Sequence, residues 1–367
     1  MTSENSPSPN KVFEALRWLR LVLVALAIGF TAWFFFAVYT ERNGGESTDR
    51  IGNSADDSKR LRTEVRSWFR KTFPESAARA DERYGFFEYE AAEIAVSNQW
   101  VFLAHGLDEP GNLWADLAPE LADEGYRVFE FRYPNDQPIH ESSQFFDEQL
   151  MALLETESSG RSPEEVHLMG HSMGGLVLRN FLTHPDLMAA RAMASLPTIR
   201  SFIQIATPNH GSWLSTYRFP VELRDHLFKD YGVDAVLGMI WDGAGEAQID
   251  LKPESAFLAA LNSRPFPKAI HWVGIAGTGS PVDLNSFQTS SWFKDTILAE
   301  SAGDLNTTFP ELFKGTGDGC VSIESLQCPE MDAVHFVDAT HRTVVRDSSG
   351  QMPPAIPIIL QVLQDLN

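Results

Sequence analysis

The sequence is poor in positive charge. Its 367 residues contain 29 lysines and arginines against 50 aspartates and glutamates, so the formal net charge at pH 7 is -21. Such acidity repels phosphate backbones and anionic lipid surfaces. It therefore excludes a nucleic-acid-binding protein and favours small neutral or apolar ligands. No internal repeat is evident, and the glycine and proline content is not that of a disordered chain.

Cysteine is scarce as well, since Cys320 and Cys328 are the only two. They flank the segment VSIESLQ, directly after Asp318. In an oxidising compartment a disulfide between them would close a small loop and contribute about 2–3 kcal/mol of stability in the chain-entropy picture. Two unpaired thiols are the equal alternative, because the sequence does not give the separation of the sulfur atoms.

Long uncharged apolar runs are absent except for one. Residues 21–39, LVLVALAIGFTAWFFFAVY, are just long enough at about 1.5 Å per residue to cross a bilayer core. Lys11, Arg17 and Arg20 precede this run. The positive-inside bias therefore predicts a single-pass membrane protein, with residues 1–20 cytoplasmic and the catalytic domain on the periplasmic side of an inner membrane. A cleaved signal peptide is the disfavoured alternative, because no small-residue cleavage site follows.

Two segments separate this run from the main domain. Residues 40–58 are polar and contain glycine, which is typical of a flexible tether. Residues 59–97 begin with an amphipathic pattern, KRLRTEVRSWFRKTF, with apolar side chains on one helical face and arginines away from it. This helix is expected to pack against the main domain, and contact with a lipid surface is the alternative. An antiparallel edge strand is expected within residues 84–97.

From residue 98 to residue 367, short apolar runs alternate with helical patterns. This alternation predicts an α/β fold, with a mostly parallel sheet covered by helices on both faces. The predicted strands are 99–104, 126–132, 166–170, 201–206, 270–276 and 334–338, and the predicted helices are 112–124, 142–156, 174–183 and 354–366.

An insertion at residues 213–265 is expected to form a helical cap over the sheet. Apolar residues recur at helical spacing in residues 223–231 and 233–241, on either side of the helix breaker Gly232. The space between such a cap and the sheet would bind an acyl chain. The even alternative is that these apolar stripes only complete the core.

The segment GHSMG, residues 170–174, interrupts the alternation. A predicted strand, VHLM, precedes it and a predicted helix, GGLVLRNFLTH, follows, so GHSMG forms a tight strand-to-helix turn. Gly170 and Gly174 are expected where any side chain would strike the neighbouring backbone. Ser172 is then held out at the sheet edge in a strained conformation, as in a nucleophile elbow. An idle serine in a glycine turn is the disfavoured alternative.

A nucleophilic serine needs a histidine to accept its proton and an acid to orient that histidine. His341 follows the last predicted strand, at the same sheet edge as Ser172, and is the predicted base. His335 and His210 are the other candidates, but His335 lies inside the strand and is expected to be a packed core residue. His171 adjoins the serine and is expected to point elsewhere.

The predicted acid is Asp318, which lies between glycines in GTGDGCVSIES. This segment follows the predicted strand 270–276 and precedes the base in the chain. Asp283 and Asp304 are rivals in the same connection, but the segments PVDL and AGDL are typical of helix caps.

Two backbone N–H groups are expected to stabilise the oxyanion, each contributing roughly 3–4 kcal/mol in the transition state. Met173 supplies one, directly after the nucleophile. Leu107 supplies the other, in the segment FLAHGLDEPGNLW, where His105 and Gly106 precede it. Gly106 lets the backbone approach the substrate closely.

Together these segments resemble the lipase and esterase branch of the α/β-hydrolase superfamily, particularly bacterial triacylglycerol lipase-like proteins and the related GPI inositol-deacylase group. The resemblance covers about residues 98–367, through HGLDEPGNLW, GHSMGG, IATPNHGS, DLKPESAFLAALN, GTGDGCVS and ATHRTVVRD. It implies hydrolysis of carboxylic esters, often of lipids, through an acyl-serine intermediate and without a cofactor or metal. It also implies that His210 and Ser212 support the active site.

The sequence therefore predicts a membrane-anchored serine ester hydrolase that acts on lipid-like esters. The nearest alternative is acyl transfer to an alcohol by the same serine, because these folds host both reactions. A catalytically silent, membrane-tethered binding protein is the more distant alternative. An ester or lipid is the expected partner, and nucleic acid is not.

Overall fold

The computed structural model describes most of the chain from residue 82 onwards. The described residues are 82–90, 98–107, 111–135, 137–157, 163–193, 197–213, 246–280, 310–347 and 349–366, together with 67, 70–72 and 74.

A seven-stranded sheet forms the centre of this described part. Its strands are β1 (Gly85–Glu88), β2 (Gln99–Ala104), β3 (Arg127–Arg132), β4 (Glu165–His171), β5 (Thr198–Ile205), β6 (His271–Gly277) and β7 (Ala333–Val337). The spatial order is β1-β3-β2-β4-β5-β6-β7. Only β1 is antiparallel to its neighbour, and the other five neighbouring pairs are parallel. The carboxyl ends of β2 to β7 therefore meet at one edge of the sheet.

Helices cover both faces of the sheet. Successive side chains of β2 alternate between two apolar clusters, because neighbouring residues of a strand point to opposite faces. Trp100 and Phe102 join one cluster, and Val101 and Leu103 join the other. Burial on both faces explains why this strand reads as an almost continuous apolar run.

The described helices are short except for three. In chain order the helices are α1 (Leu117–Asp123), α2 (Ile139–Thr156), α3 (Met173–Thr183), α4 (Pro185–Met193), α5 (Glu246–Asp250), α6 (Ala256–Asn262), α7 (Ile323–Leu326) and α8 (Ala355–Leu366). Phe146 of α2 and Phe181 of α3 pack in the first cluster, and Leu121 of α1 and Ile359 of α8 pack in the second. The sheet is thus a middle layer between two helical layers.

The predicted α/β architecture is confirmed, including the antiparallel edge strand. The clearest difference is the first helix, predicted from residue 112, which begins at Leu117. The Asp116 carboxylate accepts hydrogen bonds from the Arg346 side chain and from the backbone N–H of Asp347. Because this long-range contact occupies Asp116, its side chain makes no cap hydrogen bond to the helix.

The predicted localisation needs correction. No helix in the described part of the chain is long and apolar enough to cross a membrane. The longest described helix, α2, carries four acidic residues and buries one face against the rest of the domain. The prediction of a single-pass membrane protein with an extracytoplasmic domain is therefore contradicted for the residues that the structure describes. The apolar run 21–39 and the tether 40–58 themselves lie outside the described residues.

Parts of two other predictions also lie outside the described residues. Both predicted cap helices, 223–231 and 233–241, lie outside the described residues. The described end of the insertion forms α5 and α6, and Leu258 and Leu261 of α6 pack in the first cluster. Within the amphipathic segment, residues 67, 70–72 and 74 are helical. The domain boundaries given above stay predictions.

Candidate active site

Ser172 occupies the turn between β4 and α3, with φ 51° and ψ -127°. A non-glycine residue with this positive φ carries strain of about 1–3 kcal/mol, which persists only where the surroundings enforce it. The Ser172 carbonyl accepts a hydrogen bond from Gly175 N–H at 3.1 Å, in the first turn of α3. The strand, the sharp turn and the helix together have the form of a nucleophile elbow.

The parallel hydrogen-bond ladder continues one residue beyond three strands at this edge. Ser172 N–H donates to the Ile205 carbonyl at 2.9 Å, Ala206 N–H donates to the Ile275 carbonyl at 2.8 Å, and Thr278 N–H donates to the Val337 carbonyl at 2.8 Å. The turn residues after β4, β5 and β6 are therefore bonded to the neighbouring strand like strand residues.

Glycines make this turn possible by their lack of a side chain. A Cβ added to Gly174 would lie 2.2 Å from the Ala104 carbonyl oxygen, and one added to Gly170 would lie 2.5 Å from Gly175 Cα. These are the close backbone approaches expected from the sequence. Gly175 has the same property, because an added Cβ would lie 2.0 Å from Thr207 Oγ1.

His341 and Asp318 form a buried pair at the same sheet edge. His341 Nδ1 lies 2.9 Å from Asp318 Oδ2, and His341 N–H donates to the Asp318 carbonyl at 2.9 Å. The N–H groups of Cys320 and Val321 donate to Asp318 Oδ1 at 2.8 and 2.7 Å. An ionised carboxylate only accepts hydrogen bonds, so the proton of a neutral His341 lies on Nδ1. Nε2 is then the nitrogen that accepts a proton.

His171 links the serine turn to the segment that carries His341. Its Nε2 lies 2.7 Å from the His341 carbonyl oxygen, and the two imidazole rings are 4.7 Å apart between centroids. Its ring also lies edge-on to that of Trp114 at 6.5 Å. Sequence reasoning gave His171 no role, and its position directly before Ser172 was the only available signal.

The loop after β2 lies directly against the serine. A Cβ added to Gly106 would lie 2.7 Å from Ser172 Cβ and 3.2 Å from Ser172 Oγ. Leu107, from the same loop, and Met173, from the start of α3, are both buried. The two backbone positions expected at an oxyanion site therefore flank Ser172 in the chain or in space.

Tyr133 holds this loop from the end of β3. Its hydroxyl donates to the His105 carbonyl at 2.6 Å, and its ring stacks on the His105 imidazole at 4.5 Å. His105 Nδ1 lies 2.8 Å from the Gly106 carbonyl oxygen. Nothing in the sequence around Tyr133 indicated this contact, because it joins residues 28 positions apart.

The TPNHGS segment lies against the segment that follows Asp318. Ser212 Oγ donates to the Cys320 carbonyl at 2.6 Å, and His210 Nε2 lies 3.0 Å from the Gln327 carbonyl oxygen. His210 is itself exposed. The His210 ring thus contacts the Gln327 backbone and the Asn262 side chain, and the histidine that contacts Asp318 is His341.

The remaining candidates are not brought together with the pair. His335 lies in β7 opposite Ile275 and is only partly buried, so it is not the packed core residue that the sequence predicted. Asp283 and Asp304 lie outside the described residues, so the structure gives no comparison with Asp318.

A network of buried polar side chains contacts α3, including the Gly175 carbonyl in its first turn. Arg179 donates to Asn209 Oδ1 at 3.0 Å and to Asn262 Oδ1 at 2.7 Å. Asn209 donates to Gln204 Oε1 at 2.8 Å, and Gln204 donates to the Gly175 carbonyl at 3.1 Å. Burial lowers the pKa of Arg179. The network escaped sequence reasoning because its members come from four separate segments.

Cys320 and Cys328 do not form a disulfide in the structure, so the alternative with two separate thiols holds. Burial raises the pKa of the Cys328 thiol to about 11. Cys320 is only partly buried. One ligand atom each from Asp318, Cys320 and His341 lies within 4.8 Å of the others. These three side chains could therefore hold a metal ion.

Comparison with known proteins gives three findings. The model of the family described as "Alpha/beta hydrolase family" matches residues 101–327. Lysosomal thioesterase PPT2 of Mus musculus is 28% identical over 145 residues, or 37% of this chain, and the human protein is 27% identical. The chain spans 43% of the length of these relatives.

The third finding concerns solved structures. Bacillus licheniformis lipase BlEst2 in its mature form superposes with a TM-score of 0.50 at 16% sequence identity. The superposition covers 76% of this chain and 97% of the lipase. At this level of identity the similarity is one of fold.

Proposed function

The chain belongs to the alpha/beta hydrolase family, and from that membership we propose that it hydrolyses carboxylic esters by way of an acyl-serine intermediate. Ser172 is the nucleophile, His341 the general base and Asp318 the acid that orients the base. One observation carries the proposal: the strained Ser172 turn and the buried His341–Asp318 pair lie at one sheet edge and are joined through His171. Within the pair, His341 Nδ1 lies 2.9 Å from Asp318 Oδ2.

Acylation begins when Ser172 Oγ attacks the ester carbonyl carbon and its proton passes to His341 Nε2. The imidazolium that forms is stabilised by Asp318, whose position is fixed by its two backbone N–H donors. The backbone N–H groups of Leu107 and Met173 bind the oxyanion of the tetrahedral intermediate. His341 then gives its proton to the leaving alcohol, and the acyl group stays on Ser172.

Deacylation repeats these steps with water as the nucleophile. His341 accepts a proton from the water while the water oxygen attacks the acyl carbon, and it then returns that proton to Ser172 Oγ as the acyl–oxygen bond breaks and the acid product forms. Acyl transfer differs only in using an alcohol in place of water. Product analysis with and without an added alcohol distinguishes the two reactions.

Thioester hydrolysis is the second candidate function. It is favoured by the 28% identity to a thioesterase over 145 residues. The same residues serve both reactions, and the leaving group is then a thiol. Comparison of kcat/KM for an oxygen ester and a thioester with the same acyl group decides between them.

The direct test is labelling with a fluorophosphonate probe together with hydrolysis of a short p-nitrophenyl ester. We expect the wild-type protein to be labelled on Ser172, and Ser172→Ala to be unlabelled with kcat reduced by about 10⁴-fold or more. Ser263→Ala, which removes an exposed serine hydroxyl, is the matched control and should retain full labelling. Labelling that persists in Ser172→Ala would assign the nucleophile elsewhere.

A further inference from the structure

We propose that Asp318, Cys320 and His341 form an inhibitory site for zinc ion. One ligand atom from each residue lies within 4.8 Å of the other two. In the part of the chain that the structure describes, no other three His, Cys, Asp or Glu side chains are grouped in this way.

The backbone already holds the three ligands together. Gly319, between Asp318 and Cys320, has φ +98°, so the chain turns sharply and brings both side chains to one side of the loop. Asp318 N–H donates to the Val321 carbonyl at 3.1 Å, and His341 N–H donates to the Asp318 carbonyl at 2.9 Å. A site that is largely formed in advance loses little conformational entropy when the ion binds.

The ligand set favours zinc over the hard cations. A thiolate, an imidazole and a carboxylate are all common zinc ligands, whereas magnesium and calcium prefer oxygen ligands alone. Zinc–ligand distances of about 2.0–2.3 Å place tetrahedral ligand atoms roughly 3.3–3.8 Å apart. His341 Nδ1 and Asp318 Oδ2 are 2.9 Å apart, and the ligand atoms of all three residues lie within 4.8 Å of one another, so side-chain adjustments bring them to this spacing.

Zinc at this site changes the state of the histidine. Binding at Nδ1 replaces the proton that now lies between His341 and Asp318, so the neutral imidazole carries its proton on Nε2 instead. The Cys320 thiol loses its proton to solvent as the thiolate forms. This inhibition rests on the proposed function, because an Nε2 that carries a proton no longer accepts one from Ser172.

The second cysteine provides the matched control. Cys320 is partly exposed, whereas Cys328 is 7% exposed. Cys328 is not part of the three-residue group. Comparison of the Cys320 and Cys328 variants therefore distinguishes zinc binding to this cluster from zinc binding to any cysteine of the chain.

The activity experiment titrates zinc chloride against p-nitrophenyl ester hydrolysis, with each variant normalised to its own rate without metal. We expect micromolar zinc to inhibit the wild-type protein, reversal by a chelator, and no inhibition by magnesium at the same concentration. Cys320→Ser should raise the half-inhibiting zinc concentration by about tenfold or more, and Cys328→Ser should not change it. Equal shifts in the two variants, or no inhibition of the wild type at about 1 mM zinc, would overturn the proposal.

A binding experiment on the wild-type chain separates this inference from the proposed function. Iodoacetamide alkylation of Cys320 is followed by mass spectrometry with and without zinc, which requires no catalytic turnover. We expect zinc to protect Cys320 from alkylation. Protection in a protein that hydrolyses no ester would contradict the proposed function alone, and unprotected Cys320 in an active enzyme would contradict the zinc site alone.

Discussion

The turn that carries Ser172 and the loops that carry Asp318 and His341 are held in place by different kinds of contact. The turn is held by close backbone approach, with Gly174 against the Ala104 carbonyl, and by a ladder hydrogen bond to β5. The Asp318–His341 pair is held by polar groups that meet across a sequence separation of 23 residues. The turn is therefore sensitive to added volume, and the pair to the loss of one polar group.

The largest expected effect breaks the pair. His341→Ala should lower kcat for a short p-nitrophenyl ester by about 10⁴-fold, because the serine loses its base. His335→Ala, in the neighbouring strand, is the control and should change kcat by less than about threefold. Steady-state kinetics on folded variants measures both. An inactive His335→Ala beside an active His341→Ala would reverse the assignment of the base.

The next effect breaks the turn. Gly174→Ala should lower the free energy of unfolding by about 2–4 kcal/mol, because its Cβ would meet the carbonyl oxygens of Ala104 and His105 at 2.2 and 2.5 Å. Gly111→Ala is the matched control, since nothing lies within 4 Å of its added Cβ. Urea unfolding followed by circular dichroism gives both values. Equal stabilities would show that the turn yields to the extra methyl group.

These two kinds of contact also explain how far the sequence was predictive. The strands and the Ser172 turn follow from residues adjacent in the chain, so patterns of apolar residues and glycines identified them. Asp318 and His341 were selected by their order in the chain and their place after strands. His171 and Tyr133 were missed because their roles depend on contacts 170 and 28 residues away.

The localisation failed for another reason. Hydropathy measures only the composition of residues 21–39, and composition does not establish that a segment spans a membrane. The cysteines show the same limit, because their spacing permitted a disulfide that the folded chain does not form. In both cases the sequence pattern meets a necessary condition for the predicted feature, and only the folded geometry decides whether the feature forms.

A smaller effect concerns the acyl chain. We predict that kcat/KM rises several-fold for each added pair of methylenes in p-nitrophenyl esters from acetate upward, since each buried CH₂ contributes roughly 0.8 kcal/mol. Rates measured from acetate to palmitate should then reach a plateau once the pocket is full. A steady fall from acetate onward would indicate a small-ester esterase, in which the insertion at 213–265 has a structural role.

The smallest effect sharpens the comparison at the serine itself. Ser172→Gly should raise the free energy of unfolding by about 1 kcal/mol, because glycine adopts a φ of 51° without strain. The same variant loses activity with its nucleophile. Ser172→Ala is the control, because it removes the hydroxyl and keeps the strained Cβ. The difference in melting temperature between the two variants measures the backbone strain at residue 172. Equal melting temperatures would argue against such strain.

The ladder that continues past β4, β5 and β6 has a consequence for dynamics. An amide in an ordinary surface turn exchanges its hydrogen with solvent through small local fluctuations, whereas a sheet amide exchanges only when the sheet opens. The amides of Ser172, Ala206 and Thr278 donate to neighbouring strands, so they should exchange as slowly as those of the central strands. The backbone of Ser172 then keeps its position for as long as the sheet stays closed.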